Sequence, residues 1–322
     1  MSKKHLAVAA VAVLALSSAA CSSGSKTSGG AKHWKVTLIA GTTADNFYVT
    51  MNCGAQEEAR KLGVTYQFTG PNHFDAPAQI PVVNSVTTQH PDAVLIAPTD
   101  VDALVQPMKQ MKSAGVKVVE VDTHVSDATI SVSKIASDNL RGGVLAADTL
   151  ATLIGGKGTV MVVNVNPGIS TTDARDQGFK QQMAAKYPDI KVLPTQFDND
   201  DQAKAAQILT STYAAHPDLN GIFAANTISA EGVGTGIKNA SASGKIKTVG
   251  FDAEPQSIQD LNNDVVQALI AQQPAKIGAD GIDQAVAALE GKSVQATIGT
   301  DLVAITKENQ SSTSQYFYKS SC

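Results

Sequence analysis

Long hydrophobic runs are missing from this 322-residue chain. The apolar stretch Leu6 to Leu16 has 11 residues, against the roughly 20 that a spanning helix needs, so no transmembrane anchor is expected there. Positive charge is also in deficit, with 25 Lys and Arg against 29 Asp and Glu. A net charge of −4 offers no electrostatic footprint for nucleic acid. Aromatic residues make up 5% of the chain, and its one tryptophan, Trp34, precedes the first strand-like run, so no indole platform serves a deep site. Enzyme signatures are lacking too. There is no G-x-S-x-G elbow, no H-E-x-x-H and no G-x-x-x-x-G-K-S/T, and GVGTG (232–236) falls inside a helical stretch rather than at a strand-to-helix turn. His73, His90, His124 and His216 are scattered, and only His124, two residues past Asp122, is placed to approach a site. Asp198 to Gln202 imitates a calcium loop but continues with Ala203 and Leu209 where glycine and glutamate are required. Neither a metal nor a cofactor is expected, and no catalytic activity.

What is present begins with a basic pair, Lys3 and Lys4, then the short apolar run, small residues Ser17 to Ala20, Cys21 and the tract Ser22 to Gly30. That order reads as an export signal over residues 1–20 followed by a flexible Gly/Ser leash over 21–33. Ala19, Ala20 and Cys21 are similar to a bacterial lipoprotein cleavage region, with Ser18 where such signals usually carry leucine. Acylation of Cys21 is the expectation and plain secretion the alternative; a diacylglyceryl group supplies the second chain that stable anchoring requires. The protein is thus expected outside the cytoplasm, lipid-anchored to the cell membrane. Loss of Lys3 and Lys4 would take the charge from −4 to −6.

From Lys35 onward short apolar runs alternate with amphipathic stretches. Strands are predicted at 35–40, 64–69, 93–97, 117–121, 159–165, 190–197, 221–225, 246–251 and 265–271. Helices are predicted at 46–62, 76–90, 102–114, 139–154, 171–186, 200–215, 227–241, 254–262 and 274–290. Continuous Val/Ile/Leu runs suit strands covered on both faces of a parallel sheet, and Ile80, Val83 and Val86 fall on one helical stripe. The alternation implies an α/β architecture of two doubly wound, Rossmann-like lobes with a cleft between them.

In such sheets ligands sit past the carboxyl ends of the strands. Those positions hold GTTADNFY (41–48), Asp122-Thr123, Asn226, Asp252 and Gln272, with Arg175 in the loop-to-helix segment 170–179. Carboxylates accept hydroxyl donors, amides donate and accept, and a guanidinium offers a planar fork, so the set suits a polyol better than a reaction. Plainer readings exist. Asp45, Asn226 and Asp252 could each cap a following helix, and Arg175 could pair with Asp173 or Asp176 on its own helix surface.

Taken together, DNFYVTMNCGAQEEARKLG (45–63), IAPTDVDAL (96–104), VVEVDTH (118–124), IASDNLRGG (135–143), ARDQGF (174–179), HPDLNGIFAAN (216–226), VGFD (249–252) and IAQQPAKIGADGI (270–282) resemble the ribose-binding-protein type of periplasmic sugar-binding proteins. The resemblance covers Val36 to about Ile305. It implies a type I periplasmic-binding-protein fold whose lobes, 34–137 plus 273–300 and 138–272 plus 301–306, are joined by a hinge of three crossings near Ser137-Asp138, Gln272-Gln273 and Thr300-Asp301. It places ligand groups on Asp45, Phe47, Tyr48, Asp122, Arg175, Asn226, Asp252 and Gln272, and Thr123, next to Asp122, is a further candidate of the residue reading. Ala97 and Thr123 stand where the family often has asparagine and a basic residue, and FDNDD (197–201) lacks its aromatic, leaving Asn199 or Asp200 to face the cleft. The implied function is capture of a neutral monosaccharide or related polyol by hinge closure, with delivery to the membrane permease of an ABC importer. Alternatives are a receptor presenting its closed form to a membrane kinase and, more remotely, an exported carbohydrate-active enzyme. A monomer is expected.

Cys53 and Cys322 remain once Cys21 is acylated, and an oxidising compartment invites their pairing. The tail 307–322 extends beyond the usual core, so it is expected to fold back on the first lobe and join Cys322 to Cys53; the alternative is a half-buried thiol and a frayed end.

Overall fold

The structure, a computed structural model, describes residues 33–322. The expected export signal and the expected acylation site Cys21 lie outside the described residues. The first sheet contains β1 (Lys35–Ile39), β2 (Thr65–Thr69), β3 (Ala93–Ile96), β4 (Lys117–Val121), β5 (Ser133–Ser137) and, from far along the chain, β12 (Thr297–Thr300). Its order is β12-β5-β4-β3-β1-β2, all parallel. Helices α1 (Asn46–Leu62) and α9 (Pro274–Leu289) cover one face and α2 (Ala76–Thr88) and α3 (Val105–Ser113) the other. Alternation along the strands explains this. Leu38 and Leu95 pack with Met51 and Ile277, while Ile39, Val94 and Ile96 pack with Val83, Met108 and Met111.

The second lobe repeats the plan with α4 (Asn139–Leu153), β6 (Gly158–Asn164), α5 (Ser170–Lys186), β7 (Ile190–Val192), β8 (Gln196–Phe197), α6 (Gln202–Ala215), β9 (Leu219–Ala224), α7 (Thr227–Asn239), β10 (Lys247–Phe251), α8 (Pro255–Asn262), β11 (Ala268–Ala271) and β13 (Val303–Ile305). The order is β13-β11-β10-β9-β6-β7, with β8 also on β6 and only β13 antiparallel. In each lobe strand order reverses beside the first strand, the point where open α/β sheets leave a crevice. The chain passes between sheets three times, at Asp138, at Gln272-Gln273 and between β12 and β13. Hydroxyls of Ser137 and Thr300 lie 3.1 Å apart where two of these passages run side by side.

Several elements differ from expectation. The run 190–197 splits into β7 and β8, because Pro194 between them lacks the N–H a strand donates. The last long run begins at Ala268 rather than Val265, after Asp264 turns through a left-handed conformation (φ 60°). Strands β5 (SKIAS) and β12 (TIGT) are too thin in apolar residues to be marked, and β13 (VAI) is too short. The tail docks on both lobes: Lys319 N–H donates to Thr50 Oγ1 (2.7 Å) and a disulfide joins Cys322 to Cys53, while Tyr318 N–H donates to Ala253 O (3.0 Å).

Candidate functional site

Between the lobes lies a narrow cavity of about 50 Å³. It is lined by strand-end residues from both sheets. Asp122 follows β4 and Asp252 follows β10, and both adopt left-handed backbone, with φ of 64° and 79°. Aspartate tolerates that region better than bulkier residues do. Each is held alike: Asp122 N–H donates to Ile135 O and Asp252 N–H to Ile270 O, both at 2.8 Å. The side chains are held alike as well. Tyr48 Oη donates to Asp122 Oδ2 at 2.7 Å, and Tyr318 Oη donates to Asp252 Oδ1 at 2.7 Å. Gln272 Nε2 adds a second bond to Asp252 Oδ1 at 2.8 Å. Asp252 does not cap α8, whose first turn receives no side-chain cap.

Asp45 and Asn226 do cap helices, yet they also line the cavity, because a cap placed at a sheet's carboxyl edge spends only part of its polar group. Asp45 Oδ1 accepts from Phe47 N–H (2.7 Å). Asn226 Oδ1 accepts from Ser229 N–H (2.9 Å), and its Nδ2 donates to Asp200 Oδ1 (2.8 Å). Arg175 is 3% exposed and pairs with neither Asp173 nor Asp176. Its Nε donates to Asn139 Oδ1 and its Nη1 to Ala225 O, both at 2.8 Å, and the guanidinium lies 3.6 Å over the Phe251 ring. A fork so fixed presents its remaining N–H groups to the cavity without further loss of rotamer freedom.

Electrostatically the site is acidic, with its carboxyls buried. Burial pushes Asp122 up to about 6, against the lowering pull of the Tyr48 bond and of Arg175. Asp200 is raised by burial. Burial, with Glu254 next, holds Asp45 well above the ordinary carboxylate range. Arg175 is the cation among the described residues lining the cavity.

Of the residues singled out in the sequence, Asp45, Phe47, Tyr48, Asp122, Arg175, Asn226, Asp252 and Gln272 all line this cavity. Thr123 does not. One residue past Asp122 its side chain turns into the protein, where Oγ1 is buried without a partner. His124 is exposed and does not line the cavity either; its backbone N–H donates to Ser170 Oγ (3.1 Å). Asp200 reaches the cavity, and Asn199 lies at its mouth beside His73 and Asn166. Phe74, Val165, Ile169, Thr171 and Thr172 also line it without having been picked out by sequence. Phe74 stacks on Tyr48 (6.3 Å between centroids) and Phe47 meets Tyr48 edge-on at 5.1 Å, so three aromatic rings form one apolar wall. Among the described residues no group of three His, Cys, Asp or Glu is arranged to hold a metal ion.

Comparison with known proteins agrees with this geometry. Residues 36–293 match the family model described as periplasmic binding protein domain. The chain is 33% identical over 274 residues to the ribose import binding protein RbsB of Escherichia coli K12, covering 85% of this chain and 90% of that one. A crystal structure of an ABC transporter solute-binding protein from Agrobacterium vitis bound with α-D-tagatopyranose superposes with a TM-score of 0.87 at 43% identity, covering 89% of this chain and 99% of that one. A carbohydrate transporter solute-binding protein from Agrobacterium radiobacter in complex with D-arabinose gives 0.84 at 29% identity, with 88% and 98% covered. These relatives are binding components of transport systems, not enzymes. Two parallel sheets with polar residues converging at their facing edges, and a match over most of the length, establish that the chain belongs to the periplasmic sugar-binding proteins of the ribose-binding type.

Proposed function

We propose that this protein captures a neutral monosaccharide or related polyol between its lobes outside the cytoplasm, while tethered to the cell membrane through a lipid on Cys21, and hands it to the permease of an ABC importer. The observation that carries the reading is the convergence, on one cavity, of groups from both lobes: Asp45, Tyr48 and Asp122 from one, Arg175, Asn226 and Asp252 from the other. Such a site is complete only when the lobes are together, so a guest that touches both sides stabilises closure by its differential affinity for the two forms. Hydroxyl groups suit the lining. Tyr48 occupies one oxygen of Asp122 and leaves the other for a donor, Gln272 Oε1 has no hydrogen-bond partner among the described residues, and the aromatic wall offers its face to C–H groups. Against one arginine, the carboxylates of Asp45, Asp122, Asp200 and Asp252 disfavour an anionic guest.

Titration calorimetry with D-ribose, D-tagatose and D-arabinose tests this. At least one is expected to bind with one-to-one stoichiometry, and Arg175→Ala is expected to lose about 1.5–3 kcal/mol, roughly 10- to 150-fold in affinity. No heat with any neutral sugar, together with binding of a sugar acid such as D-galacturonate, would overturn the reading.

A further inference from the structure

The last residues of the chain enter the site's framework from outside both sheets. Tyr318 is 5% exposed, and its hydroxyl is used in both capacities: it donates to Asp252 Oδ1 (2.7 Å) and accepts from Gln272 N–H (3.1 Å). Its ring packs edge-on against Phe47, 5.8 Å between centroids. Those three partners are a carboxylate of the second lobe, a residue of the middle crossing and an aromatic of the first lobe, and all three line the cavity. Four residues later the disulfide from Cys322 to Cys53 fixes the segment to α1.

We infer that the tail belongs to the binding machinery, with Tyr318 a positioning residue that holds Asp252 and Gln272 in their cavity-facing orientation and the Cys53–Cys322 link keeping it in place. The need is visible by comparison of the lobes. Asp122 receives its tyrosine from its own lobe, as Tyr48, whereas Asp252 occupies the equivalent strand-end position and receives one from the tail. Asp252 also holds a left-handed backbone (φ 79°), a conformation that persists only where surroundings determine it. Without the phenol, Asp252 keeps Gln272 Nε2 and a long contact from Thr227 (3.5 Å), too few to define one rotamer.

The inference rests on the sugar-binding reading, and the test separates the two. Calorimetry with D-ribose, D-tagatose and D-arabinose is run on wild type, Tyr318→Phe and Cys322→Ser, beside melting curves and backbone hydrogen exchange of the sugar-free proteins. Tyr318→Phe is expected to lose roughly tenfold or more in affinity with a melting temperature close to wild type. In an Asp252→Asn background the same change costs little more, since the partner is already altered; additive losses would place the action of Tyr318 elsewhere and overturn the assignment. Cys322→Ser is expected to speed exchange of the Gln272 and Tyr318 amides and to weaken binding in the same direction. Affinity within about twofold of wild type in Tyr318→Phe overturns the positioning role, and unchanged exchange in Cys322→Ser overturns the tether. Should wild type take none of the three sugars, the sugar reading fails and the exchange data alone decide: faster exchange in both variants sustains the inference, unchanged exchange ends it.

Discussion

Asp122 shows how burial and function pull one carboxyl in opposite directions. Out of water it holds its proton up to about pH 6, although Tyr48 and Arg175 favour the ionised form. Its pKa in the folded protein exceeds the ordinary value, so between about pH 4 and about pH 6 the folded chain binds a proton that the unfolded chain has released. Stability of the empty protein from this group therefore falls as pH rises through that window. Sugar affinity moves the other way, because the ionised carboxylate accepts hydroxyl donors and the neutral acid accepts fewer. The expected outcome is that the affinity ratio of wild type to Asp122→Asn shrinks as pH goes from about 7.5 to about 5, read by calorimetry on both proteins. A ratio independent of pH would mean that Asp122 does not titrate at the ligand. Position explains how such residues could be picked from sequence: Asp122, Asn226 and Asp252 each end a buried apolar run, where topology alone puts them at the crevice. Phe74, in a loop without periodicity, and Tyr318, in the tail past the last strand, carry no such mark.

At the scale of elements, Arg175 is aimed by the close crossing of α4 and α5. A Cβ on Gly143 would collide with the carbonyl oxygen of Arg175 itself, and one on Gly178 with that of Leu140. The first lobe repeats the device, with Gly54 against Ala275 and Gly278 against Met51 where α1 meets α9. Gly143→Ala must therefore push α5 outward and draw Arg175 from Asn139, which opens α4. Overpacking of this kind costs about 1–3 kcal/mol. A lower melting temperature and weaker sugar binding are expected together, whereas Gly299→Ala, where nothing lies within 4 Å of the added carbon, changes neither. Equal melting curves for the two variants would show that the helices can separate at no cost. The helices and the fully buried strands were legible because their apolar periods are strong. Three short strands were not: β5 (SKIAS) carries Lys134, the edge strands β12 and β13 have four and three residues, and all three exist because a neighbouring strand supplies their partners.

For the molecule as a whole, the lobes meet beyond the cavity through polar contacts as well. Val101 N–H donates to Gly168 O (3.1 Å), His124 N–H to Ser170 Oγ (3.1 Å) and Asn46 Nδ2 to Glu254 Oε2 (3.3 Å). Beside the last of these, the carboxyls of Asp45 and Glu254 face one another from opposite lobes. Burial, with the charge of Glu254 next, holds Asp45 well above the ordinary carboxylate range, and burial raises Glu254 as well. Apart and solvated, two carboxylates ionise independently; together and buried they cannot both do so. On the proposed hinge closure, bringing these groups together would take up protons, and rising pH would oppose it. A guest that bridges the lobes would then supply the closing free energy instead. Glu254→Gln removes the charge and offers an amide donor to Asp45. The sugar-free variant is expected to be more compact than wild type once the wild-type pair ionises, with a radius of gyration in small-angle scattering that depends less on pH above the ordinary carboxylate range. Identical radii for the two proteins at those pH values would show that this pair does not govern the balance between open and closed forms.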